Sequence, residues 1–282
     1  MSLALFTLRR TVVLFCERMK TSGIIMGVGA PNLCRDGRKT MCAIILSEQM
    51  GLIRVYPIDG SAYFPLWANV DLEIETSPGD ARRESYRLLS FDVGKRMDDA
   101  DMKRDLLEAC VLKSGNQDPI AYQNSRRKSI ALVRMEWGDL EATLSQRVPE
   151  VPRDDEECGW VTTQGMHWNK PYLSWTSLQG GTHKTHLVGR EIYEGLRHNP
   201  QTAWRIFENV RVSDPEWDVW LLLGNMKTRP NVWVCPHVHR LKRKAAGYTP
   251  GIFPSRDDAW PYQEQEGVNT VKPENQYSLA LL

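Results

Sequence analysis

The chain from Met41 onward is patterned for β-strands, and this pattern constrains its fold more than any other feature. Two β-rich runs, residues 41–47 (MCAIILS) and 52–58 (LIRVYPI), are joined by the short segment EQMG, which predicts a hairpin. Residues 70–75 alternate apolar and acidic side chains, as expected of a sheet with one face in water. We therefore expect an α+β fold of antiparallel sheets, open or partly closed into a barrel, with helices packed on one side.

Further elements follow from the same kind of pattern. Apolar residues at helical spacing predict helices over residues 101–112 and 185–198, the second ending just before a proline. Residues 129–137 look like a strand. Residues 217–225 and 231–240 read as two more strands around the turn-forming segment MKTRP.

The length of 282 residues allows one large domain or two modest ones. Two prolines and a run of acids near the middle of the chain suit a solvated linker, which divides it. We expect five parts: an N-terminal extension (1–18), a β-rich N-terminal half (19–147), the acidic linker (148–158), a half rich in Trp and His (159–246), and a turn-rich tail (247–282).

Charge and cysteine usage exclude several classes of protein. A net charge of +1 predicts no general attraction to nucleic acid, so any such binding must rest on a local patch. The six cysteines form no C-x-x-C pair, which disfavours a zinc ribbon and favours reduced thiols in the cytoplasm. The apolar N-terminal stretch is interrupted by Arg9 and Arg10, so it resembles neither a signal peptide nor a spanning helix. We expect no cofactor and no membrane partner.

All six histidines and seven of the ten tryptophans fall between Trp160 and His239. Such crowding indicates an aromatic-lined pocket or a metal site. Within the strand 231–240, alternation places three valines on one face, and Pro236 indicates an edge or a bulge. The opposite face would then carry Trp233, Cys235, His237 and His239.

Three interpretations compete for that face. The first is a metal site built from Cys235, His237 and His239, with His183 and His186 as a further pair. Donors two residues apart on a strand lie about 7 Å apart, which makes sharing one metal difficult. We therefore expect no metal and hydrogen-bonded histidines instead.

The second interpretation is nucleic-acid binding. The segment 226–244 carries six Lys or Arg residues and no acid, which suits phosphate. Trp217, Trp220 and Trp233 could stack on exposed bases, although tryptophans on strands are often simply core.

The third interpretation adds catalysis. Enzymes that act on a base draw it out of the stack into an aromatic pocket. Asp218 lies in the apolar run WDVWLLLGN, where a carboxylate could activate water or stabilise an oxocarbenium-like sugar. Asn225, after Gly224, could present its amide to a base edge. The alternative for Asp218 is a salt bridge to an arginine such as Arg54 or Arg205.

Two motifs carry a resemblance to a family. The first holds Cys42, Ile53, Arg54, Tyr56 and Pro57, and the second is an R-x-E-S-Y element of Arg82, Glu84, Ser85 and Tyr86. Over about a third of its length, the chain resembles a largely uncharacterised prokaryotic family found near defence and mobile-element genes. The resemblance implies a DNA-directed role, for which an antiviral DNA glycosylase is one candidate, and it does not indicate a catalytic residue. The chain lacks the H-x-E and P-C-x-x-C elements of zinc deaminases.

The sequence thus predicts a cytoplasmic, DNA-acting protein that engages an extruded or modified base, with N-glycosidic excision as the leading mechanism. A non-enzymatic reader of modified or single-stranded nucleic acid and a protein-interaction module remain the alternatives. The predicted roles are catalysis by Asp218, base binding by Asn225, His237, Trp217, Trp220, Trp233 and Tyr56, and phosphate binding by Arg54, Arg82, Arg229, Lys242 and Arg243.

Overall fold

A computed structural model describes residues 17–34, 37–77, 79–135, 140–145, 170–198 and 214–244. The predicted linker 148–158 and the tail 247–282 lie outside these residues. The elements, in chain order, are β1 (Arg18–Val28), β2 (Asn32–Leu33), β3 (Lys39–Ser47), β4 (Gly51–Asp59), β5 (Ala68–Thr76), β6 (Ser85–Arg96), α1 (Ala100–Cys110), α2 (Pro119–Ser125), β7 (Ile130–Met135), β8 (Leu140–Ser145), β9 (Lys170–Thr176), β10 (Thr182–Leu187), α3 (Arg190–His198), β11 (Trp217–Asn225) and β12 (Trp233–Lys242).

The N-terminal strands form a closed five-stranded barrel in the order β1-β5-β6-β4-β3, with β3 pairing back to β1. The short β2 extends the edge of β3. All neighbours in the barrel are antiparallel except β4 and β6, which are parallel. This is the connectivity of an OB-fold, a five-stranded Greek-key barrel. The expected antiparallel sheets and barrel are therefore confirmed.

Alternation of apolar side chains produces the barrel. Ile53 and Val55 of β4 point inward together with Val70, Leu72 and Ile74 of β5, and all five are almost fully buried. The predicted hairpin is present, and Gly51 begins β4 with φ +70, a conformation that favours glycine.

The second sheet has the order β7-β11-β12-β10-β9-β8 and is antiparallel except between β10 and β12. One face buries a core that includes Trp175, Leu187, Leu221 and Cys235. Because β7 and β8 pair with later strands, the chain passes from one sheet to the other after β6. The boundary between the two sheets therefore lies after β6, before the predicted linker in sequence.

The other face of the second sheet packs against the outside of the barrel. Trp220 and Leu222 of β11 meet Met26 and Ile44 of the barrel, and Leu107 of α1 packs into the same cluster. We call this cluster the inter-sheet interface. A Cβ atom on Gly27 of β1 would lie 2.6 Å from a methyl carbon of Leu222, so a side chain at this position would displace the end of Leu222.

The helices do not share one side of the molecule, contrary to the expectation. Helix α1, capped by the Asp99 side chain, packs into the inter-sheet interface. Ile120 of α2 and Ile192 of α3 instead pack against the core of the second sheet. No helix in the described ranges is long and apolar enough to span a membrane.

Two sequence predictions in the second sheet are wrong in part. The helix predicted over 185–198 begins only at Arg190, because the residues before it form β10. There His186 and Leu187 align with β12 in a parallel ladder, and this tertiary pairing overrides the helical spacing.

The predicted phase of β12 is also wrong in part. A register shift against β11 places an extra residue in β12 around Pro236, so the strand is bulged and lies inside the sheet. Trp233 and Cys235 therefore enter the core of the second sheet. His237 and His239 face the barrel instead, where His239 contacts the ring of Trp67 at 4.9 Å.

Candidate nucleic-acid interface

The buried carboxylate of Asp218 faces three arginines, of which only Arg104 is buried. Its carboxylate pairs with the guanidinium of Arg104, and it lies 3.2 Å from Arg243 Nε and 3.6 Å from Arg134 Nη2. The Asp218 side chain is only 7% exposed. The ion-pair alternative considered for Asp218 is therefore the observed arrangement, although its partners are neither Arg54 nor Arg205, which lies outside the described residues.

The tryptophans predicted to stack on bases are mainly structural. Trp220 is fully buried, with the guanidinium groups of Arg104 and Arg134 5.6 and 6.0 Å from its ring centroid. Trp233 is 6% exposed and donates its indole N–H to Asn124 Oδ1 at 3.1 Å. Trp217 is partly exposed at the start of β11. Neither Trp220 nor Trp233 offers a free ring face to a base.

Arg54 is fixed in the seam where the barrel meets β7. It is 5% exposed and donates to Ser85 Oγ at 3.3 Å, to Ser129 Oγ at 3.2 Å and to the Ser129 carbonyl at 3.0 Å. Burial, followed by the nearby charge of Arg82, lowers the pKa of Arg54 to about 10. A guanidinium held in this way joins the two sheets and presents no surface to phosphate.

Tyr56 lies near the rim of the barrel. Its hydroxyl is 3.1 Å from Thr40 Oγ1 and 3.8 Å from Cys34 Sγ. Burial raises the pKa of Tyr56 to about 12. The structure does not bring Tyr56 together with the other residues predicted to bind a base.

The candidate metal donors are separated. The bulge turns Cys235 away from His237 and His239, and burial raises the pKa of the Cys235 thiol, which keeps it protonated. His183 Nε2 lies 2.8 Å from Asp118 Oδ2. No group of three His, Cys, Asp or Glu side chains suited to a metal occurs in the described part of the chain.

Three segments from different parts of the chain meet beside Arg54. They are residues 79–84 before β6, residues 126–129 before β7, and residues 226–232 between β11 and β12. Glu84 accepts from the backbone N–H and the hydroxyl of Ser129, at 3.2 and 3.1 Å. The Ser129 carbonyl accepts from the Asn225 N–H at 3.0 Å, and the Asn225 carbonyl accepts from Arg82 at 3.0 Å. We call this junction the three-loop surface.

The acids of the three-loop surface are already neutralised. Arg82 donates to both carboxylate oxygens of Asp80, at 2.6 and 2.8 Å. Burial alone would raise the pKa of Asp80, but the hydrogen bonds and charge of Arg82, with the charge of Lys227, hold it below its ordinary value. Glu84 is buried among its hydrogen bonds. Besides Arg82, the surface carries six cations, Arg83, Arg126, Arg127, Lys128, Lys227 and Arg229.

The exposed cations of this surface project into solvent. Arg83, Arg127 and Arg229 are exposed, and none of the ion pairs formed between described residues involves them. Arg126 donates to the hydroxyl of Tyr122 at 2.8 Å and lies over its ring. The surface therefore offers a concentrated positive charge beside one partly exposed aromatic ring.

Arg127 has an unusual backbone conformation. Helix α2 ends in a Schellman motif, because the N–H of Lys128 donates to the Gln123 carbonyl and that of Arg127 to the Asn124 carbonyl. Arg127 occupies the left-handed position after the helix cap, with φ +53, where glycine is usual. A long cationic side chain is thus held at a strained position on the three-loop surface.

Comparison with known families covers the barrel alone. A family model described as "Domain of unknown function (DUF8758)" matches residues 19–109, which span the barrel strands and nearly all of α1. None of the curated proteins matches the chain.

The predicted phosphate-binding residues are only partly brought together. Arg229 lies on the three-loop surface, and Arg82 lies beneath it in its ion pair. Lys242 and Arg243 lie at the other end of the β11–β12 hairpin, roughly 26 Å away along the strands. The continuous basic run of the sequence is therefore divided between two places.

Asn225 has a structural role at the three-loop surface. Its side-chain amide donates to the Pro230 carbonyl at 3.1 Å and closes the turn 226–232. The sequence analysis counted Lys227 in the basic segment that suits phosphate, but it placed neither Arg83, Arg127 nor Lys227 among the predicted site residues. The signal that could have found them is the recurrence of adjacent basic residues in short turns that each flank a strand end.

Proposed function

We propose that this protein binds single-stranded DNA through the phosphate groups, using the three-loop surface. The observation that carries the proposal is the convergence of six cations from three distant segments at one place where both acids are already paired or buried. A strand of phosphates is the partner that such a positive surface attracts most strongly.

The topology of the barrel supports this choice of partner. OB-fold barrels bind oligonucleotides with the face of their second and third strands and with the loops that follow the first and fourth strands. Here β3 and β4 are those second and third strands, and the inter-sheet interface covers part of their outer face. The loop after the fourth strand, which contains residues 79–84, remains open and forms part of the three-loop surface.

The conformation of Arg127 is a second support. A left-handed backbone costs a non-glycine residue about 1 kcal/mol or more, and glycine would serve the Schellman motif better. Strained residues cluster at functional sites. A cationic side chain retained at such a position is explained if its guanidinium contacts a ligand.

Binding without base excision is the alternative that the site favours. Asp218, the carboxylate considered for excision, is enclosed by three arginines beneath α1. That carboxylate is already engaged by three guanidinium groups, which leaves it poorly suited to activating water or stabilising a sugar. We therefore propose the binding role and assign no catalytic step.

The test is a titration of a fluorescein-labelled single-stranded oligonucleotide at low salt, followed by anisotropy. The triple variant Arg83→Ala, Arg127→Ala and Arg229→Ala should bind at least about tenfold more weakly than the wild type, since each lost phosphate contact weakens binding.

The matched control removes the same charge from the barrel. It is the triple variant Lys20→Ala, Lys39→Ala and Lys95→Ala, which also deletes three exposed cations. This control should keep near-wild-type affinity. Equal losses in both triple variants would mean that only net charge matters, and the proposal would then fail.

A further inference from the structure

A pocket of about 320 Å³ lies between the barrel and α3, away from the three-loop surface. Its walls come from the end of β1, the loop between β4 and β5, the first turn of α3 and the middle of β12. The side chains that matter to its chemistry are Tyr63, Phe64, Arg190, Glu191, Glu194 and His237.

The floor of the pocket pairs a buried histidine with a partly exposed glutamate. His237 Nδ1 lies 3.0 Å from Glu191 Oε1, and the histidine side chain is only 7% exposed. Burial alone would raise the pKa of Glu191, but the charge and hydrogen bond of His237, with the charge of Arg240, hold it below its ordinary value. Glu191 is therefore a fixed carboxylate within the pocket.

The two walls are tied together. Arg190, at the start of α3, donates to the Ala62 carbonyl at 3.0 Å and so holds the loop between β4 and β5 in place. Glu194 lies one turn after Arg190 and projects on the same side of α3. Beneath His237, the ring of His239 stacks edge-on at 4.4 Å and supports its orientation.

The opposite wall is aromatic and unusually exposed. Tyr63 is 76% exposed, the largest exposure among the large hydrophobic side chains described, and Phe64 beside it is buried in the barrel core. An aromatic ring left in water beside a pocket is suited to stacking on a flat ligand. The pocket volume lies at the small end of the range of about 300–1,000 Å³ for small-molecule sites, so it suits one ring system.

We propose that this pocket binds a single heteroaromatic ring whose edge carries adjacent N–H donors, as guanine does. The ring would stack on Tyr63 and donate its N–H groups to the carboxylates of Glu191 and Glu194. Carboxylates accept from the amino edges of bases, and flat bases are read by stacking together with hydrogen bonds to that edge. The inference goes beyond the proposed DNA-binding surface and stands without it.

Guanosine and inosine form a matched pair of probes, because inosine lacks only the exocyclic amino group. Calorimetric titration should detect guanosine binding, with inosine at least about tenfold weaker, since a carboxylate would lose its donor. Equal affinity for the two nucleosides, or no guanosine binding at millimolar concentration, would overturn the proposal. Binding of tetramethylammonium but of neither nucleoside would also overturn it, in favour of a simple cation site.

Three variants keep the test independent of folding. Tyr63→Ala removes an exposed ring and should weaken both nucleosides by about tenfold. Glu194→Gln should weaken guanosine selectively and reduce its preference over inosine. Asp92→Asn, an exposed carboxylate on β6, should change neither. A Glu194→Gln variant with an undiminished guanosine preference would contradict the assignment.

The source of the ring is decided by competition. An oligonucleotide ending in an unpaired guanine, tested against its inosine counterpart in the triple variant of the three-loop surface, separates a base in a strand from a free nucleoside. If the guanine strand displaces bound guanosine and the inosine strand does not, the pocket binds the end of a strand. If only free guanosine displaces it, the ligand is a free nucleoside. Competition by neither would contradict the proposal.

Discussion

The site around Asp218 and the three-loop surface are both rich in arginine, yet they differ in whether a buried carboxylate pairs with the guanidinium groups. Around Asp218, a carboxylate compensates the guanidinium groups of Arg104, Arg134 and Arg243. On the three-loop surface, Asp80 is already paired with Arg82, and Arg83, Arg127 and Arg229 are exposed to solvent. The comparison shows that the number of arginines says little about function until the position of each carboxylate is known.

The largest expected effect is a loss of unfolding free energy on substitution of Asp218. Asp218→Asn leaves Arg104 without its anion in a buried site, and breaking one partner of a buried ion pair typically costs about 3–5 kcal/mol. We expect a loss of this size in the free energy of unfolding, measured by urea denaturation. Asp92→Asn, on the exposed face of β6, should change it by less than about 0.5 kcal/mol.

Asp218→Asn also separates structure from catalysis. DNA affinity should persist wherever the variant stays folded. The wild-type protein could instead create abasic sites in DNA, and Asp218→Asn could abolish that activity at unchanged stability. Asp218 would then be catalytic, and its structural role would be contradicted.

Substitution of Arg54 should have a moderate effect on stability, whereas substitution of Arg83 should affect DNA binding alone. Arg54→Met removes three hydrogen bonds in the seam between the barrel and β7, and we expect a loss of about 2–3 kcal/mol in unfolding free energy. Arg83→Met, at an exposed position, should leave stability unchanged and weaken DNA binding. A variant of Arg54 that weakened DNA binding without loss of stability would contradict the structural role.

Titration of His239 should have a smaller effect on the free energy of unfolding. Burial, followed by the charges of His237 and Arg240, lowers the pKa of His239 well below its ordinary value. Below about pH 6.5 the unfolded chain binds a proton at His239 and the folded protein does not. The free energy of unfolding is therefore highest above about pH 6.5 and falls as the pH drops below this value.

The corresponding measurement compares urea denaturation at pH 7 and pH 5.5 in wild type and His239→Phe. The wild type should lose about 1 kcal/mol more than the variant over this interval. A variant with the same pH dependence as the wild type would show that His239 titrates normally.

The smallest expected effect concerns Arg127. Arg127→Gly relieves the left-handed backbone at the end of α2, and we expect stability to rise by about 0.5 kcal/mol while DNA binding weakens. Thermal denaturation and anisotropy on the same preparation measure both. A loss of stability, or unchanged binding, would remove the argument from strain.

Much of the fold could be predicted from local patterns. The hairpin around residues 48–50, the alternating strand at residues 70–75 and the helix near residues 101–112 all depend on short-range alternation or spacing, and each is present. The helix predicted over 185–198 is present from Arg190, but its start was wrong because the preceding residues pair with β12, a partner about 50 residues away in sequence.

The candidate sites were harder to predict, because they depend on which face of a strand is covered. Arg54 lies on the outer face of the barrel, and no local pattern could show that the second sheet would bury that face. The bulge at Pro236 separated Cys235 from His237, which alternation had placed together. The three-loop surface joins residues more than 100 positions apart, so no local pattern contains it.

The salt dependence of DNA affinity tests the central claim most directly. For single strands, the slope of log affinity against log salt changes by about 0.7 for each phosphate contact. The triple variant Arg83→Ala, Arg127→Ala and Arg229→Ala should therefore have a slope shallower by about 2 than the wild type, with unchanged unfolding free energy. An identical slope in the two proteins would show that these cations do not contact phosphate and would contradict the account.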